Sequence, residues 1–542
     1  MPDESLKERY LRRRSFFVHD HRTSIRFRRA VAALVWGVAA GLTLLALGVR
    51  TLVDGVPGPL LTVAVVVVAA MTVAALRRPA AAPHTHGLPG VPDGPCPGDD
   101  PDLDPDVEPT VGPDLGPFVI GSRIAGALTL VAFATGLPAW WVLAIAAVEI
   151  ALALRVVVFA LLVRRTTRRI ARALEAYGPR FAIAYAGYGG GPTHLTMWEE
   201  PLLSAGFPGV VLNYRLKYCA YLQENTDLTS PFVQLSEDAI RDLEILTVPS
   251  LRWFFYVHNA KSNARFMALR DVQHVWLGHG DSDKPASVFQ RHADYDLLVV
   301  SGTAAIDRYE QGGVHIPREK FVVLGRPQVH EIAAATRDLA TVERPVVLYA
   351  PTWQGKRRRV NFSSLRQGPD IVQALIDVGA DVIFRPHPLS KRHHRLENFV
   401  RHIDRLLEID SEDPLTPGQH AWGELPTVVW TLNDCMNRAD ALVSDVSSVV
   451  SDWLQSGKPY AMVSTRLPAD EFRRRFSVAR GAYVLLRDLD GAEAVLADML
   501  GPDSMAAERE ALRVRVLGGF TGSESAEAFA AYFHDRFAAV GA

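Results

Sequence analysis

A chain of 542 residues, 48% hydrophobic and 22% charged, has the length for more than one domain, and its formal net charge of −2 gives no reason to expect a nucleic-acid partner. Cys96, Cys219 and Cys435 lie far apart, with neither a zinc-type spacing nor an obvious disulfide pairing, which fits a reducing compartment.

The near-neutral sum hides strong segregation. Residues 1–29 form a basic cytoplasmic N-terminus, with arginines at 12–14, 26, 28 and 29. Two uncharged runs follow, Ala30–Leu47 and Pro59–Leu76, and predict a transmembrane hairpin over 30–76, because a bilayer is crossed by about 20 apolar residues. No small-residue cleavage site follows the first run, so a cleaved signal peptide is not expected. Residues 77–116 are rich in Pro, Gly and Asp and read as a disordered cytoplasmic loop that cannot bury a core. Its His84 and His86 have no third ligand near them to make a metal site. The runs 124–137 and 140–163 predict a second hairpin over 117–165. It either spans the bilayer or lies at its interface, since Glu149 and Arg155 are costly in lipid. Arg77 and Arg78 follow the second run and "RRTTRR" (Arg164–Arg169) follows the fourth. That charge bias places both termini in the cytoplasm of a multi-pass protein of the cell membrane.

From Phe181 the pattern changes to short strand-like runs alternating with helical stretches. "FAIAYAG", "GVVLNY", "WFFYVHN", "HVWLG", "LLVVSG" and "FVVLG" form a first series. "PVVLYAP", "DVIFRPHP", "TVVWT", "ALVSD" and "YAMVS" form a second. Alternation of this kind predicts an α/β fold of parallel sheets covered by helices, here two Rossmann-like domains over 178–335 and 336–542. Ligands in such folds bind beyond the carboxyl ends of the strands, which is where the unusual polar residues fall.

"WLGHGDSDKP" (Trp276–Pro285) sets His279 between two glycines, with Lys284 five residues on. Gly280 lets a backbone come close to a ligand, and an imidazole there can move a proton near neutral pH. "APTWQGKRRR" places Thr352 at a strand end and then Lys356, Arg357 and Arg358, which read equally as a solvated charge run or as an attractor for a polyanionic acceptor. "FRPHP" holds His387 between two prolines, a stiffness that a core histidine does not need. Arg385 beside it suits a phosphate or a carboxylate equally. "SDVSSVVSDWLQSGKP" reads as strand, turn and helix. Capping needs only one serine, so Ser447 and Ser448 after Asp445 are better explained by phosphate contact, with Asp445 orienting a neighbour or serving the turn. "HNAKSN" (His258–Asn263) reads as ordinary loop polarity, and "YAGYGGG" (Tyr185–Gly191) as a glycine turn with or without a ligand. There is no P-loop, no nucleophile elbow and no carboxylate metal motif. Histidines, serines and cations together suit transfer of a phosphoryl-containing group.

Taken in order, "GHGDSDK", "YAPTW", "RPHP" and "DVSSVVSDWLQSGKP" resemble the CDP-glycerol glycerophosphotransferase family, the polymerases and primases of wall teichoic acid. The resemblance runs from about Phe181 to Val463. It implies a GT-B-type pair of Rossmann-like domains and attack by an acceptor hydroxyl on the β-phosphorus of a CDP-alditol, releasing CMP. By position, His279 would be the general base and His387 would assist the departing nucleotide. Ser447, Ser448, Arg385 and Lys284 would hold donor phosphate, supported by Asp445, Thr352 and Gly280. No resident cofactor is implied, and a magnesium ion carried in by the donor stays open. The implied partners are a CDP-alditol donor, a prenyl-linked or polyol-phosphate acceptor and the membrane, with homo-oligomer formation left open. Asp281, Val446 and "GRPQVH" (Gly325–His330) depart from the family pattern around the donor and acceptor regions, so the alditol is not specified. The alternatives are a GT-B glycosyltransferase using a nucleotide sugar and a non-catalytic nucleotide-binding membrane protein.

Overall fold

The computed structural model describes residues 84–91, 158, 161–185, 192–213, 222, 226–235, 243–260, 263–267, 269–278, 280, 283, 287–354, 361–390 and 394–539. The basic N-terminus, the expected hairpin over 30–76 and nearly all of the hairpin over 117–165 lie outside these residues. Among the described residues, no helix is long and apolar enough to cross a membrane. The chain forms two units, one of residues 1–193, 208–254 and 260–272, the other of residues 194–207, 255–259 and 273–542.

In the first unit, residues 161–177 are helical, with Ile170 and Leu174 fully buried and Leu161 and Leu162 about half exposed at the start. Strands β1 (His84–His86), β2 (Phe181–Tyr185), β3 (Gly209–Asn213) and β4 (Phe232–Gln234) lie in the order β1-β4-β3-β2. Every residue of β2 and β3 is buried, which is why these strands read as unbroken apolar runs rather than as an alternation. β4 was not legible, because "FVQ" is too short to show a period. Within the stretch 77–116, read from composition as a loop, β1 pairs antiparallel with β4, His84 opposite Gln234 and His86 opposite Phe232. An open strand edge offers main-chain partners whatever the incoming side chains are. Leu88 is buried beside it, and Arg169 donates to the Gly90 carbonyl at 3.1 Å.

The second unit holds the end of β5 (Trp253–Tyr256), then β6 (Gln273–Trp276), β7 (Leu297–Val300) and β8 (Phe321–Val323). β6, β7 and β8 are successive parallel neighbours. A second sheet contains β9 (Val346–Ala350), β10 (Asp381–Phe384), β11 (Ala441–Ser444), β12 (Tyr460–Ser464) and β13 (Tyr483–Leu486). Its order is β10-β9-β11-β12-β13, parallel throughout. Its strands are buried on both faces. Val347, Tyr349, Val382, Phe384, Val443 and Val463 enter one core, against helices Gly368–Asp377 and His394–Ser411. Leu348, Ala350, Ile383, Leu442 and Met462 enter the other.

The strand expected at "TVVWT" does not form. Leu425–Val429 is a π-helical turn, and Thr431 caps helix Leu432–Arg438 through a capping box with Asp434. Val428 and Val429 are 74% and 67% exposed, so their branching marks no buried strand, and Pro426 lacks the N–H that a sheet ladder needs. The strand that does lie beside β12, on the side away from β11, is β13, "YVLL". After β4, Leu243–Leu246 is helical.

Candidate active site

β10, β9 and β11 stand side by side with Phe384 opposite Tyr349 and Ser444 opposite Ala350, so their carboxyl ends form a continuous rim. Three of the quoted motifs leave the sheet there. The "RPHP" loop is tied to the "YAPT" loop by the main chain, His387 N–H donating to the Pro351 carbonyl at 3.3 Å. Asp445, fully buried, accepts from Thr352 N–H at 2.7 Å and from Ser364 N–H at 3.1 Å. Its carboxylate therefore organises the loop after β9, and it does so from the end of β11. Thr352 is buried beside it.

His387 is half-buried, and its Nδ1 accepts the Leu389 N–H at 3.1 Å. That bond assigns the proton of a neutral ring to Nε2, which makes Nε2 a hydrogen-bond donor. Arg385 has protein partners on one arm of its guanidinium. Its guanidinium donates to the carbonyls of Pro426 and Trp430, the latter at 2.9 Å, and sits 3.7 Å from Cys435 Sγ. Burial lowers its pKa from the usual guanidinium value. It holds the π-helical turn in place.

Ser447 is the N-cap of helix Ser448–Trp453, accepting from Val449 N–H at 3.4 Å. Ser448 is partly exposed beside it. A Cβ added to Gly280 would lie 3.2 Å from the Ser448 Cβ and 3.3 Å from its Oγ. Only a glycine lets the turn after β6 approach the serine turn this closely without displacement. Gly278, at φ +70°, takes the left-handed conformation, and its carbonyl accepts from Trp198 Nε1 at 2.6 Å. His279 and Lys284 lie outside the described residues, as do Lys356, Arg357 and Arg358.

Charged residues that the sequence reading had not singled out flank this region. Asp283 accepts from Ser477 Oγ, Val478 N–H and Arg308. Arg326, in the departing "GRPQVH", forms a buried two-pronged pair with Asp452 on helix Ser448–Trp453. Lys458 of "GKP" donates to the carbonyls of Met436 and Ala439 at 3.0 and 2.7 Å, closing the end of helix Leu432–Arg438. Arg326 and Asp452 had one signal, namely that both fall inside quoted motif segments. Among the described residues no group of three His, Cys, Asp or Glu is placed to hold a metal.

Residues 273–476 match the family described as CDP-glycerol:poly(glycerophosphate) glycerophosphotransferase. No curated protein matches the chain. Among solved structures, the wall teichoic acid polymerase TagF is similar at 11% identity and a TM-score of 0.42, over 69% of this chain and 94% of that one. HepE from Anabaena in complex with UDP is similar at 11% identity and a TM-score of 0.38, over 66% of this chain and 99% of that one.

Proposed function

We propose that this transferase, whose residues 273–476 carry the glycerophosphotransferase match, is a membrane-bound CDP-alditol phosphotransferase of GT-B-type architecture. On this reading it adds polyol-phosphate units to a lipid-linked acceptor, with its catalytic part on the cytoplasmic side. The observation that carries the reading is the packing of Gly280 against Ser448, which supports a site built from the His279 turn and the serine turn together. The apolar runs preceding the arginine-rich helix 161–177, with Leu161 and Leu162 exposed at its start, support attachment to a bilayer.

In the proposed reaction an acceptor hydroxyl oxygen bonds to the β-phosphorus of CDP-glycerol as the bridging oxygen–β-phosphorus bond breaks. The hydroxyl proton goes to His279, and CMP departs with the bridging oxygen. His387, with Nε2 as its donor, meets the charge growing on the departing phosphate, and the hydroxyls of Ser447 and Ser448 hold the diphosphate. Donors preset at developing charge are the largest single source of rate in such sites. Lys284, with Lys356, Arg357 and Arg358 on the acceptor side, would supply positive charge. Arg385 acts on this reading through the turn it holds.

Incubation with labelled CDP-glycerol and a prenyl-diphosphate-linked sugar tests the proposal. CMP release is expected, with His279→Ala and His387→Ala each lowering it by about 10²–10⁴-fold while the melting curve keeps its cooperativity. Turnover of a uridine-diphosphate sugar, with no CMP from any CDP-alditol, would replace the reading with that of a glycosyltransferase.

A further inference from the structure

We infer that Asp283 is a positioning residue, fastening the turn that carries His279 and Lys284 to the segment Ser477–Gly481 and to helix Thr303–Gln311. The inference rests on the proposed function above, and it concerns a position that no motif of the family specifies.

Asp283 is four residues beyond His279 and directly before Lys284. Its side chain is 4% exposed and fully engaged. Ser477 Oγ donates to both carboxylate oxygens at 2.9 Å, Val478 N–H donates to Oδ2 at 3.0 Å, and Arg308 reaches Oδ1 at 3.2 Å. These donors come from separate parts of the fold. Arg308 lies on the helix after β7, whereas Ser477 and Val478 open a 3-10 turn before β13, nearly 200 residues along the chain from Asp283. A carboxylate with several acceptor sites is the side chain that can satisfy a hydroxyl, an amide and a guanidinium at once. A loop needs no such anchor merely to turn, since Gly278 at φ +70° already takes the left-handed conformation. A fixed anchor has value where a neighbouring group must sit within a fraction of an ångström of a reacting atom. Gly280, three residues before Asp283, meets Ser448 within the same unit.

Asp283→Asn preserves size but places an amide NH₂ where one of the donors now points, so at least one bond is lost and the pairing with Arg308 ends. CMP release from CDP-glycerol is expected to fall about 10²-fold in kcat, with KM for the donor within about threefold of wild type. Ser477→Ala, which leaves the carboxylate and its other two donors in place, is expected to lose about tenfold. Hydrogen exchange of a peptide spanning residues 274–288 should accelerate in both variants while that of residues 441–453 is unchanged. Asp283→Glu should recover part of kcat, which a merely space-filling role would not predict. Wild-type kcat together with wild-type exchange in Asp283→Asn would overturn the assignment. If the wild-type protein turns over no CDP-alditol, the proposed function fails, and the exchange measurement alone decides the anchor. If Asp283→Asn does not fold, Ser477→Ala decides it on both readouts.

Discussion

Arg326 and Asp452 are almost completely buried, at 6% and 9% exposure, and they face each other with two hydrogen bonds. Taking two charges out of water is costly, and mutual attraction repays it only when the geometry satisfies both groups. The asymmetry gives the prediction. Arg326→Ala, or Asp452→Ala, leaves one buried charge without its partner and should cost about 3–5 kcal/mol in urea unfolding. The double substitution should cost markedly less than the sum of the two, a coupling readable from a double-mutant cycle. Additive losses would mean that the pair contributes no mutual stabilisation. The same residues show what a lone sequence can and cannot reveal. Arg326 lies inside a quoted segment, "GRPQVH", but its partner lies 126 positions away, and no local pattern encodes such a distance. Asp283 was equally hidden, even though it lies inside the stretch that first drew attention, because its donors come from two other segments.

At the scale of elements, β6 and the turn after it rest on an aromatic bed. Trp276 stacks on His292 with ring centroids 4.1 Å apart. His292 Nε2 donates to Asn259 Oδ1 at 2.7 Å, while its Nδ1 accepts from the Tyr309 hydroxyl, also at 2.7 Å. In the neutral ring the proton on Nε2 serves Asn259 and the Nδ1 lone pair serves the Tyr309 hydroxyl, so both ring nitrogens are satisfied without a charge. Burial lowers the pKa of His292 from 6.5 to about 4. An unfolded chain gains a proton near pH 6.5 that the folded one does not take, so the stabilisation is complete above pH 6.5 and is lost as pH falls toward about 4. Across that window the loss is roughly 3 kcal/mol. Urea melts at pH 7.5, 5.5 and 4.5 should show it, and His292→Gln should abolish this part of the pH dependence while lowering stability at pH 7.5. A pH dependence unchanged by the substitution would place the acid sensitivity elsewhere. Strands such as β2 and β9 were legible because each is a run of five apolar residues, nearly all of them buried, which leaves few other readings. β4 was missed because a strand of three residues shows no period. "TVVWT" misled because branched residues signal a strand only when they are buried.

For the whole molecule, the last helix decides whether the second unit closes on itself. Glu524–Ala538 sends Phe529, Phe533 and Phe537, spaced four apart on one face, into the core with no exposure. Phe529 meets Trp198 at 5.6 Å between ring centroids, Phe533 meets Phe255 at 5.0 Å, and Phe537 meets Phe207 at 6.0 Å. Ser525 adds a hydrogen bond to the Leu324 carbonyl at 2.8 Å, and His534 Nδ1 lies 2.9 Å from the Ala205 carbonyl. The end of the chain thus covers residues that lie some 300 positions earlier, including Trp198, whose indole N–H holds the Gly278 carbonyl at the turn after β6. Three buried phenylalanines at about 1.5–3 kcal/mol each approach the whole net stability of a domain, which is about 5–15 kcal/mol. A chain stopped after Ser523 is therefore expected to lose its cooperative melt or to precipitate, and Phe533→Ala alone to lose about 3–5 kcal/mol. Because Trp198 sits under this helix, Phe533→Ala should also quicken hydrogen exchange in residues 274–278 before global unfolding begins. A truncated chain that melts cooperatively at the full-length temperature would show that the helix is an appendage and that the turn after β6 is held without it.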